Sequence, residues 1–312
     1  MTKLKYKIIN YNEILKFAND QQLTKGAEDY NIKFKNLLID IDIFHHNYRT
    51  DSNKQMYRNY DLFEEVEVID SETLIIFSMY LEVFQYSNKM KLMIDCIEHF
   101  SKKYINNKLL CQWNHDMDWA NYGKDIEKYI NVYILNFGYV SKKFKNNILV
   151  PFWDINTIPY KEPKKIFTSF IGTINNKLRY DIASTIINSN NPNFYYNRIY
   201  GETFFKIISS SKFTLCPRGG EYDGGFSYRF FETFSLNCVP VLISDKTIYP
   251  YNDIDWDSIC VKIPEIYATD LQEIYNILIS KDYDKMIKNI NNIKHRFSLQ
   301  GIQEEIYYKF IK

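Results

Sequence analysis

KFTLCPRGGEYDGGFSYRFFETFSLNCVPVLISD, residues 212–245, is the stretch from which the fold is read. Its opening FTLC (213–216) is a short apolar run bounded by turn residues, as expected of a buried strand. A loop follows that carries Pro217, Arg218, Gly219, Gly220, Gly224 and Gly225, so four of the chain's ten glycines fall within seven residues. A helix is expected over 227–235, and VPVLI (239–243) reads as a second buried strand. Strand, loop, helix and strand in this order make a βα unit of a mainly parallel sheet.

The same segment carries chemistry. Glycine tolerates positive φ and lets backbone approach a ligand closely, while the first turn of a helix offers unpaired N–H groups and a partial positive charge. Arg218, before the loop, and Arg229, in the first helical turn, add planar cations suited to a diphosphate. Arginine is scarce here: 39 basic residues include only seven arginines, and two of them fall within twelve residues of each other in this segment. Glu232 lies three residues after Arg229, on the same helical face, where a carboxylate can accept hydrogen bonds from ribose hydroxyls. A nucleotide site follows from this physics; the base does not.

Outward from this segment the alternation continues. Strands are expected at 36–43, 74–79, 108–113, 131–135 and 148–152, with a helix at 89–104 that sets Met90, Met93, Ile94, Ile97 and Phe100 on one face. The proline-bearing PFWDINTIPYKEP (151–163) reads as a linker. A second series then runs through a strand at 165–171, a helix at 177–188, a strand at 194–199, a helix at 202–210 and a short strand at 258–263, with a helical end from about 270. At 312 residues the chain has the length of two domains, expected at 1–157 and 158–301.

Composition excludes several classes. A net charge of +1 supplies no global field for nucleic acid or an anionic membrane. Neither a signal peptide nor an apolar run long enough for a transmembrane helix is found, so no integral membrane segment is expected. The five cysteines are odd in number, spread out and without a CxxC pair, which suggests buried reduced thiols and a cytoplasmic location.

The stretch from Cys216 to Glu265 resembles the donor-site signature of the exostosin family of glycosyltransferases: C-P-R-G, a variable loop, S-x-R, a helix bearing E, then G-C-V-P-V and a later D-W. Cys216, Pro217, Arg218, Gly219, Ser227, Arg229, Glu232, Cys238, Val239, Pro240, Val241, Pro250 and Trp256 stand at matching positions. Upstream, FTSFIGTINNKLR (167–179) is similar to the family's F-x-G…R segment, with Gly172 and Arg179 in register, and LLCQWNHDMDW (109–119) is similar to its H-D strand end. Asn237 departs from the usual glycine, and the loop at 220–226 has its own sequence.

The resemblance implies an α/β chain of the GT-B class, two Rossmann-like domains with mainly parallel sheets facing across a cleft, in which the last helix (302–312) often rejoins the first domain. It implies inverting transfer from a nucleotide-sugar, usually a UDP-sugar, to a hydroxyl of a glycan acceptor. Arg218, Arg229, Gly219, Gly220, Ser227, Glu232, Gly172 and Arg179 would then bind donor and diphosphate, with no metal and no cofactor required. For the base, strand-end position selects Asp116, with Asp118 and His115 beside it.

Three alternatives compete. A fucosyltransferase-like GT-B enzyme would use a GDP-sugar, but the C-P-R-G opening argues against it. A metal-dependent GT-A enzyme would hold Mn2+ or Mg2+ through a D-x-D such as Asp40 and Asp42, and leaves the arginine and glycine loop unexplained. A protein that binds nucleotide-sugar or glycan without catalysis would use the 17% aromatic content for stacking, although most of those rings read as core packing.

Overall fold

Apolar runs that alternate with amphipathic ones organise the chain into βα units, seen here in a computed structural model that describes residues 3–9, 11–18, 63–77, 90–113, 125–136, 146–149, 162–219, 226–247 and 249–311. They belong to two units: Met1–Val150 with Ile302–Lys312, and Pro151–Gly301.

The first unit holds β1 (Leu4–Ile9), α1 (Tyr11–Ala18), β2 (Phe63–Glu65), β3 (Leu74–Phe77), α2 (Met90–Lys103), β4 (Leu109–Trp113), β5 (Val132–Asn136) and β6 (Asn147–Leu149). The strands pair in the order β2-β1-β3-β4-β5-β6, and every described pair is parallel. Parallel strands are covered on both faces, so LIIF of β3 is buried throughout. Helix α2 presents Met90, Met93, Ile97 and Phe100 to this core as the spacing predicts; Cys96 is buried beside them, while Ile94 is only partly buried. Asn131, just before β5, donates from Nδ2 to the carbonyls of Ser101 and Tyr104 at 3.1 Å and of Asn107 at 3.2 Å, satisfying backbone acceptors where α2 ends.

Strand β1 corrects the sequence reading, which begins the series at about residue 35. LKYKII carries two lysines and so does not read as a sheet-interior strand, yet β1 pairs on both sides with β2 and β3. Its Lys5 is exposed and bridges to Asp70 at 2.8 Å. The expected strand at 36–43 lies outside the described residues.

The second unit holds β7 (Ile166–Ile171), α3 (Lys177–Ser189), β8 (Phe194–Asn197), α4 (Glu202–Ser210), β9 (Ser211–Pro217), α5 (Tyr228–Ser235), β10 (Val239–Ile243), β11 (Val261–Ile263), α6 (Leu271–Ile279) and α7 (Tyr283–Ile293). Its parallel strands pair in the order β11-β10-β9-β7-β8. The chain steps from β7 out to β8, then crosses to β9 on the other side of β7. This reversal makes a topological switch point between the ends of β7 and β9, the place where open α/β sheets bind ligands. Aromatic side chains pack the helical layer: Phe230, Phe231, Phe234 and Phe297 are all fully buried.

The helical end from residue 270 is broken into α6, α7, a single turn at Lys294–Phe297 and α8 (Leu299–Ile311). Asp270 and Asp282 cap α6 and α7 by accepting from Glu273 N at 2.9 Å and Lys285 N at 3.0 Å. In the first unit Phe310 of α8 meets Tyr133 of β5, ring centroids 5.1 Å apart. Two Rossmann-like units on parallel sheets give the α/β, GT-B class that the resemblance implies. Among the described residues no helix is long and apolar enough to cross a membrane.

Asn237 stands where the family pattern has glycine, and its backbone shows why glycine is preferred there. It follows the last turn of α5 with φ of 50°, in the left-handed region that asparagine tolerates best after glycine. Asn237→Ala is expected to destabilise the protein by about 1 kcal/mol and Asn237→Gly to stay within about 0.5 kcal/mol of the parent, as read by chemical denaturation.

Candidate functional site

Three segments meet at the switch point. Strand β7 ends at Ile171 and runs into Gly172, β9 ends at Pro217 and runs into Arg218, and α5 begins just after Ser227. The two strands are neighbours, and Ser169 and Thr214 hydrogen-bond across them at 3.0 Å.

Arg229, in the first turn of α5, is 7% exposed, and its Nε and Nη1 have no hydrogen-bond partner among the described residues. The guanidinium lies over the ring of Phe170, 5.4 Å from its centroid. Gly172 makes room for it: a Cβ on Gly172 would stand 1.7 Å from Arg229 Nη2. Burial pulls the Arg229 pKa below its usual range, opposed by the charges of nearby acidic groups including Glu232. An arginine nevertheless keeps its proton inside proteins, so this is a fixed buried cation.

Ser227 is the residue at the helix N-cap, 8% exposed, yet its side chain makes no cap hydrogen bond and its Oγ also has no partner among the described residues. Unpartnered buried donors are uncommon in folded proteins. Two side chains that carry them, two residues apart at one helix N-terminus, describe a site suited to an anion.

Arg218 is differently placed. Its Nε donates to Glu265 Oε1 at 2.7 Å and its Nη2 to Glu265 Oε2 at 3.2 Å. Its backbone N–H donates to Ile243 O at 3.1 Å, which carries the β9–β10 pairing one residue further. Glu265 was not anticipated from sequence. The available signal was its position immediately after β11 and Pro264, because the ends of β9, β10 and β11 are adjacent in the sheet.

Arg179 reaches the backbone of the same loop. It is 6% exposed and donates from Nε to Arg218 O at 2.9 Å, from Nη2 to Pro217 O at 3.3 Å and from Nη1 to Asn175 Oδ1 at 3.0 Å. It therefore holds the loop after β9 by its carbonyls. Asn176 assists: its Oδ1 caps α3 by accepting from Arg179 N at 2.9 Å, and its Nδ2 donates to Gly219 O. Gly172 likewise acts through Arg229, as the clearance beside the guanidinium.

Glu232 sits partly buried on α5, one turn after Arg229. Cys216 is fully buried and burial pushes its thiol up to about 12, so it is no nucleophile at neutral pH. Trp256 of the D-W pair is structural: its Nε1 donates to Pro250 O at 3.1 Å and its ring stacks on Tyr249 at 4.7 Å. Asp253, in the D-x-D at 253–255, bridges to Arg296. Among the described residues no group of three or more His, Cys, Asp or Glu is placed to hold a metal. His115, Asp116, Asp118, Gly220, Asp40 and Asp42 lie outside the described residues.

Residues 127–278 match the Exostosin GT47 domain. The Exostosin-1 homolog of Caenorhabditis elegans is 30% identical over 104 residues, a match that covers 32% of this chain and 26% of that protein. A probable glucuronosyltransferase of Oryza sativa subsp. japonica is 31% identical over 147 residues, 42% of this chain and 33% of that one. The chain thus spans between 26% and 33% of the length of these relatives. Among solved structures, Anabaena HepE in complex with UDP-glucose aligns over 76% of this chain and 78% of its own, with 9% identity and a TM-score of 0.48.

Gly172→Ala tests the packing of the site. With φ of 152° and a methyl driven into Arg229, the variant is expected to lose about 2 kcal/mol or more of stability in thermal denaturation. A second-site Arg229→Ala change should recover part of that loss.

Proposed function

From a chain that belongs to the exostosin family through its residues 127–278, we propose an inverting glycosyltransferase that moves a sugar from a nucleotide-sugar, of the UDP class, to a hydroxyl of a glycan acceptor. One observation carries the reading: a buried arginine and a buried serine, each with polar atoms that have no partner among the described residues, at a helix N-terminus on the switch point of a parallel sheet.

In this reading the diphosphate of the donor lies against Arg229, Ser227 and the first N–H groups of α5, with Arg218 at its other side. Arg179 and Asn176 keep the Pro217–Gly219 backbone in place, and Glu232 accepts from the ribose hydroxyls. A base, Asp116 with Asp118 and His115 as its neighbours in sequence, takes the acceptor's hydroxyl proton. The acceptor oxygen then forms its bond to the anomeric carbon from the face opposite the diphosphate, and the carbon–oxygen bond to the diphosphate breaks. The electron pair of that bond leaves on the diphosphate, and the charge it adds meets fixed cations in a water-poor site, where they act most strongly.

Cations already in place make a bound divalent ion unnecessary to this chemistry, so the reading requires no metal and no cofactor. Partners are a nucleotide-sugar and a glycan or glycoconjugate acceptor, with no nucleic acid. Five buried free thiols suit a reducing compartment, and the reading places the protein in the cytoplasm.

Arg218→Ala and Arg229→Ala are each expected to cut sugar transfer about 100-fold or more while the fold persists by circular dichroism. A nucleotide-release assay over UDP- and GDP-sugars reads this directly, and full turnover by both variants with the true donor contradicts the assignment. Transfer is also expected to survive EDTA; its loss, with rescue by Mn2+, would favour the metal-dependent alternative.

A further inference from the structure

Arg218 and Arg229 are cations of unlike standing. Arg229 has buried N–H groups without partners among the described residues, whereas Arg218 is gripped by a carboxylate through two parallel hydrogen bonds, the strongest geometry open to an arginine. The Arg218 and Glu265 side chains are only 16% and 21% exposed, so solvent screens their interaction poorly.

We propose that Glu265 is a resident counter-ion of the donor site, competing with a nucleoside diphosphate for Arg218 and limiting how tightly that diphosphate is held. The proposal rests on the reading of Arg218 as a diphosphate ligand.

Glu265 is fixed for this role by the sheet. It stands immediately after β11 and Pro264, while Arg218 stands at the end of β9, and β10 lies between those strands. Asp245, after β10, ties the two ends together: its N–H donates to Glu265 Oε1 at 3.2 Å, and Glu265 N donates to Asp245 Oδ1 at 3.1 Å. Burial alone would raise the Glu265 carboxyl, but Arg218, the Asp245 N–H and Lys246 outweigh it and hold the group below the usual carboxylate range. At neutral pH Glu265 therefore carries its charge beside the cation.

Two arrangements of a bound diphosphate are open, and both give the same sign. If Arg218 keeps Glu265 while touching the diphosphate, two anions face each other across one guanidinium. If Arg218 leaves Glu265 to reach the diphosphate, the ion pair must break. Either way the carboxylate opposes binding, and its neutral amide should not. A purely structural Glu265 gives the opposite sign, since loosening Arg218 weakens binding.

Calorimetric titration of UDP and of inorganic pyrophosphate into the full chain decides the matter, with Glu265→Gln, Arg218→Ala, the pair combined, Arg229→Ala, and Glu202→Gln as a control for bulk charge. Glu202 is an exposed carboxylate of α4 bridged to Lys206. Glu265→Gln is expected to tighten UDP about tenfold, the effect of one charge at close range in a partly screened site. Glu202→Gln should leave the affinity within about twofold, in line with an exposed charge. In the Arg218→Ala background, Glu265→Gln should bring no gain.

Unchanged or weaker binding by Glu265→Gln, or a gain that persists without Arg218, overturns the proposal. Should Glu265→Gln not fold, Glu265→Asp serves in its place: it withdraws the charge by one methylene and should tighten UDP by about twofold, whereas weaker binding overturns the proposal. The donor-site reading fails separately. If the wild-type protein binds neither probe, or Arg229→Ala binds as the wild type does, that reading falls and the counter-ion with it.

Discussion

A buried guanidinium whose Nε and Nη1 have no hydrogen-bond partner among the described residues is the constraint on which the candidate site of the second unit depends. Taking such an ion out of water costs on the order of several kcal/mol, a cost that a bound anion would offset in part. The surroundings of Arg229 hold that cation while leaving its Nε and Nη1 without a hydrogen bond among the described residues. Phe170 lies beneath it, Gly172 withholds a side chain, and Ser227 adds a donor that makes no cap hydrogen bond. The sheet order matters for the same reason, because it makes neighbours of the strands that end at Gly172 and Arg218.

Three arginines stand close in this site and act in three ways. Arg229 offers charge with N–H groups that have no partner among the described residues, Arg218 offers charge bound to Glu265, and Arg179 donates to backbone carbonyls of the loop and to Asn175. The family signature marks all three positions alike. What separates them is tertiary: which carbonyl or carboxylate the fold brings within reach of each fork.

The two strands and the helix of residues 212–245 could be read directly, because apolar runs and their helical or strand spacing are local signals. The arginine pair was also legible, since two of seven arginines in one loop-and-helix segment stand out in a lysine-rich chain. Strand β1 was not: its two lysines mask an element that pairs on both sides. Glu265 escaped because its partner lies 47 positions away and meets it only through the order of the strands. Asn237 was visible as a departure, but its meaning depends on a backbone angle of 50°, which no composition reports.

The central claim is that Arg229 is kept for an anion rather than for the fold, and one paired measurement addresses it: thermal denaturation of wild type and Arg229→Met, each with and without UDP. Methionine fills similar volume without charge, so the account predicts that unliganded Arg229→Met is at least as stable as wild type, by up to about 2 kcal/mol more, and that UDP stabilises only the wild type. A variant that is markedly less stable yet still stabilised by UDP would contradict it.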